Sequence, residues 1–138
     1  VSLPFAGTLL GRQSSPMTPR TLRKHHRAAC ELAELLEPRT GRACTLLAPL
    51  VLLGLEGWCI TPRKVTSPTP AELRALWAEA CAVADVHGLP PALAHRGHRR
   101  AWFVRWSVAR PTQWGDFGLT VAGSLDAWLY GAGVGEGL

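Results

Sequence analysis

Two stretches of thirty residues, Val1–Cys30 and Val86–Gly115, contain no acid; all ten aspartates and glutamates lie elsewhere. The first holds Arg12, Arg20, Arg23, Lys24 and Arg27, and the second holds Arg96, Arg99, Arg100, Arg105 and Arg110. All five histidines, His25, His26, His87, His95 and His98, fall inside the same two stretches. Within the two stretches positive charge therefore meets no acid, although Arg27 can pair with Glu31 one turn on, and it grows as pH drops through about 6.5.

Other absences narrow the chemistry. Cys30, Cys44, Cys59 and Cys81 form no Cys-x-x-Cys pair, which argues against a zinc knuckle and a dithiol redox motif. Three of them stand beside apolar residues, as buried thiols of a reducing compartment do, so a cytoplasmic location is expected. The longest apolar run, Leu46–Leu55, contains Pro49 and Gly54 and is followed by Glu56. That is about half the roughly twenty residues a membrane helix needs, and the run reads as a buried central helix.

Catalytic signatures are missing too. His95-x-x-His98, and His26 with Cys30 one turn later, have no carboxylate or second cysteine at ligand spacing, so no metal and no cofactor is expected. Histidine beside arginine is a pairing used in RNA cleavage, but adjacent guanidinium groups more often only lower a histidine's pKa. Gly131–Gly137 precedes no helix, which removes it as a phosphate loop. An enzyme is the least supported class.

What is present suits one domain of 138 residues, with 47% apolar and 18% charged residues and many turns from 14 glycines and 11 prolines. The expected fold is α+β: a small, mostly helical domain with one antiparallel hairpin packed on the central apolar helix. Residues 1–17 read as a flexible arm, because charge follows the apolar Leu3–Leu10 run where a secretory signal has it in front. Residues 18–130 form the globular domain and 131–138 a frayed Gly-rich tail. Since residue 1 is Val, the readings are a GTG start, a truncated fragment or a start at Met17.

Thr18-Pro19 caps a helix expected to run to Glu37 and stop at Pro38, with Leu22, Ala29, Cys30, Ala33 and Leu36 and their neighbours Leu32 and Leu35 on its apolar stripe. Its cations sit near the positive end of the helix dipole and its glutamates near the negative end, the reverse of the stabilising arrangement. A second helix is expected over 43–56, then a loop and linker at 61–68. Thr69, Pro70 and Glu72 make a capping-box pattern that opens a helix over 70–87, closed by Gly88. Leu73, Leu76, Trp77, Ala80, Val83, Ala84 and His87 form its expected buried stripe. Period-two alternation over 101–110 places Trp102, Val104, Trp106 and Val108 on one strand face and Phe103, Arg105, Ser107 and Ala109 on the other. Residues 117–122 return as the second strand, and Ser124 caps a short helix over 125–130.

A basic cluster leading into an aromatic strand is a pattern used by nucleic-acid binders, because guanidinium groups neutralise phosphate and aromatic faces stack on unpaired bases. The candidate contacts are Arg96, His98, Arg99, Arg100, Phe103 and Arg105, with Arg20, Arg23, Lys24 and Arg27 as a second patch. Residues 95–100 read as a charged loop presented by the hairpin. Thirteen of the fifteen cations are arginine, a bias that a GC-rich genome produces as readily as selection for phosphate binding. The alternative is a small interaction or inhibitor protein, phage- or plasmid-encoded, that binds a host protein or nucleoprotein complex through Arg105, Trp106, Arg110 and Trp114.

Overall fold

A computed structural model describes residues 18–42, 44–47, 51–53, 57–97 and 101–131. The elements run α1 (Pro19–Thr40), β1 (Thr45–Leu47), β2 (Val51–Leu53), β3 (Cys59–Lys64), α2 (Pro70–His87), β4 (Pro91–Arg96), β5 (Trp102–Ser107), β6 (Thr120–Ser124) and α3 (Leu125–Gly131). The six strands make one mixed sheet in sequence order, antiparallel except for β3 and β4, which run parallel and are joined through α2. The fold is α+β, and no described helix is long and apolar enough to cross a membrane.

The sheet is covered on both faces. On one face, Ala28, Leu32 and Leu36 of α1 and Leu125 and Trp128 of α3 pack with Ile60, Ala92, Ala94, Trp102 and Val104. The ring of Trp58 meets Trp128 edge-on at 5.5 Å. On the other face, α2 buries Trp77 and Ala80 against Leu93, and Ala84 against Val51 and Cys59. Alternation along each strand therefore sends neighbouring residues into different layers.

The apolar 43–56 segment is not a helix where it is described: Thr45–Leu47 and Val51–Leu53 are paired strands. Pro49, with no N–H and a ring that obstructs the preceding turn, and Gly54 both oppose a helix there. Among the described residues no central apolar helix carries the β5–β6 hairpin; it extends the sheet instead. The expected linker at 61–68 is likewise corrected, because β3, a largely buried internal strand, occupies its first half.

Pro62 hid that strand. The N–H groups of Cys59 and Val65 donate to the carbonyls of Pro90 and Arg96, so alternation turns the nitrogens of Thr61 and Arg63 toward β4 and that of Pro62 away from it. On that outer side the described part of β2 pairs with β3 at Ile60. Among the described residues the missing donor of Pro62 therefore costs no ladder bond.

α1 passes through Pro38 and ends at Gly41, whose positive φ of 74° lets its N–H reach the carbonyl of Glu37. Its buried side keeps Ala29, Leu32 and Leu36 of the expected stripe and adds His25, Ala28 and Thr40, leaving Leu22 and Cys30 exposed. α2 has the expected bounds and the full capping box: Glu72 N–H donates to Thr69 Oγ1, and Thr69 N–H donates to Glu72 Oε1. His87 is exposed and does not belong to its buried stripe. Ser124 Oγ accepts from the Ala127 N–H and caps α3. The 1–17 arm and the tail beyond Gly131 lie outside the described residues.

Candidate nucleic-acid interface

The first half of α1 has no acid in its opening turn. Arg20, Arg23, Lys24 and Arg27 are all exposed there, while His25 turns inward. At about 1.5 Å of rise per residue the four cations span roughly 10 Å of helix. Two contacts tie this helix to the carboxyl ends of the parallel strands: the Lys64 N–H donates to His25 Nδ1 at 3.0 Å, and Arg96 of β4 pairs with Glu31. Lys64 and Arg96 are themselves register partners.

His25 is held neutral. Burial, with Arg63 and Lys24 adding to it, pushes its pKa from 6.5 down to about 4, and its Nδ1 must stay unprotonated to accept the Lys64 N–H. It was missed as a core residue, although its spacing to Ala28, Ala29 and Leu32 is that of one helix face. Lys64 was missed because its segment reads as a loop.

The expected 95–100 loop is corrected in part. His95 and Arg96 are strand residues of β4, and the Gly97 N–H donates to the carbonyl of Ala101, closing the β4–β5 connection. Strand pairing with β3 and β5 outweighs the local polarity that suggested a loop. His98, Arg99 and Arg100 lie outside the described residues. Arg96 is mostly buried in its pair with Glu31, which makes it a tie between α1 and the sheet. Phe103 and Arg105 point to the α2 side, opposite α1.

On that opposite face a polar row crosses the strands. Arg63 is 2% exposed, donates to the Pro62 carbonyl at 2.7 Å and pairs with Glu79 of α2 at 3.3 Å. Its register neighbour His95 stacks obliquely on Phe103 with ring centroids 5.6 Å apart. Burial, then Arg105, lowers the His95 pKa. Arg105 donates to Thr120 Oγ1 and lies 4.4 Å from the centre of the Phe117 ring, so it fastens the segment before β6 onto β5. Phe103 stays 44% exposed.

The alternative quartet does not converge. Trp106 packs toward the α1 and α3 layer, whereas Arg105 faces the α2 side. Trp114 is half-buried, and its carbonyl accepts from Trp77 Nε1 at 2.9 Å. Arg110 is exposed at the start of that same loop. Among the described residues no three His, Cys, Asp or Glu side chains gather as metal ligands. No protein-family model, curated protein or solved structure matches the chain.

Proposed function

We propose that this protein binds single-stranded RNA or DNA without catalysis, holding the phosphate backbone on the exposed cations of α1. The observation that carries the proposal is Arg20, Arg23, Lys24 and Arg27 standing in solvent at the positive end of the helix dipole. Cations there oppose folding by some tenths of a kcal/mol each, whereas phosphates brought to them gain from both the side chains and the dipole. Lys64, and Arg99 and Arg100 through the β4–β5 connection, extend the set in sequence. Arg96 is excluded by its bond to Glu31. The four cysteines are free thiols, in keeping with action in the reducing cytoplasm.

The test is a variant in which Arg20, Arg23, Lys24 and Arg27 are replaced by Gln. Affinity for a labelled single-stranded oligonucleotide falls at least tenfold, while Tm holds or rises because the dipole conflict is relieved. A folded variant that binds as tightly as the parent overturns the proposal, and so does a parent without measurable affinity for either RNA or DNA. Capture of a protein that survives nuclease treatment, with no oligonucleotide binding, supports the interaction-protein alternative instead.

A further inference from the structure

β6 is the terminal strand of the sheet, and among the described residues nothing pairs with its outer side. The Val108 N–H donates to the Leu119 carbonyl at 3.0 Å, and the register then matches Trp106 with Val121 and Val104 with Gly123. In an antiparallel ladder bonded pairs recur every second residue. The backbone groups of Val121 and Gly123 thus serve β5, and the N–H groups of Thr120, Ala122 and Ser124 face outward.

Exposed strand edges are usually protected by charge, proline or a bulge. Thr120-Val121-Ala122-Gly123-Ser124 has neither charge nor proline, and its register with β5 is unbroken. Val121 is 40% exposed although it lies on the face that carries α1 and α3.

We infer that β6 pairs antiparallel with β6 of a second copy of this chain, about a two-fold axis at Ala122, joining the two sheets into one. Three features select a second copy over another partner. The strand is uncharged, so two chains of net charge +5 meet there without like charges in the ladder. The register that centres Ala122 on the partner's Ala122 sets Thr120 opposite the partner's Ser124, two small hydroxyl side chains. It also sets the exposed Val121 opposite the partner's Gly123, where no side chain competes for space. Gly123 is already required within one chain, since a Cβ there would stand 3.1 Å from Ala127 Cβ of α3; the same close approach brings Ala127 over the strand, where the partner's Val121 reaches it.

Light scattering across a concentration series, under reductant because the thiols are free, reads the outcome. A mass rising from 14.9 kDa toward twice that value is expected. Ala122→Pro removes an outward N–H without touching the β5 ladder, and Val121→Lys sets a cation at the junction; each raises the dimer dissociation constant at least tenfold with circular dichroism unchanged. If Ala122→Pro fails to fold, Val121→Lys decides alone. A parent that stays at the single-chain mass up to millimolar concentration overturns the inference, as does a dimer that the folded variants leave intact.

Discussion

At the scale of single residues, His25 links protonation to folding. Its pKa in the fold, about 4, lies below the 6.5 of the free side chain. Between those values the unfolded chain binds a proton that the folded chain refuses. The contribution of neutral His25 is therefore complete above pH 6.5 and is lost as pH falls toward 4, with a limiting slope of about 1.4 kcal/mol per pH unit for one full proton. The expected result is a urea midpoint that declines across this window in the parent and declines less in His25→Gln, which keeps an acceptor for the Lys64 N–H without titrating. His95 is shifted in the same direction and leaves a residual slope in the variant. Equal slopes in both proteins would show that protonation of His25 is not coupled to unfolding.

Elements differ in how far local sequence determines them. α2 was legible because both its ends are written in neighbouring residues: Thr69 and Glu72 exchange hydrogen bonds at the start, and Gly88 takes a φ of 66° at the finish. Thr69→Ala should lower stability by about 1 kcal/mol, within a usual range of about 0.5–2, measured as a shift in urea midpoint. An unchanged midpoint would mean that tertiary contacts hold the α2 end without its cap. β5 was legible from the alternation of Trp102 and Val104 with Phe103 and Arg105. β3 and β4 were not, because their patterns depend on partners remote in sequence: Pro62 is tolerated through the direction its nitrogen faces, and Arg63 is buried beside Glu79, sixteen positions along the chain. Strand pairing across the α2 crossover supplied what no short window contained.

Across the whole molecule, charge is divided by the layers. Arg63 and Arg96 are taken up by Glu79 and Glu31, and Arg105 by Thr120 and Phe117. These three cations lock layers or loops to the sheet, whereas the four on the first half of α1 face solvent. The α1 patch was legible in the sequence, as cations at the start of a capped helix, but its separation from Arg96 was not; that depends on a carboxylate brought from another element, and Glu31 against Arg96 spans 65 positions. If the α1 cations replace counterions on a phosphate backbone, each contact adds about 0.7 to the magnitude of the slope of log affinity against log salt for a single strand. Replacing all four by Gln should then flatten the slope by nearly three. Replacing Arg105 by Gln should leave the slope almost unchanged and instead lower Tm, because its guanidinium is occupied by Thr120 and Phe117. A slope that responds to Arg105 as strongly as to the α1 set would move the phosphate path to the α2 face of the sheet, beside exposed Phe103.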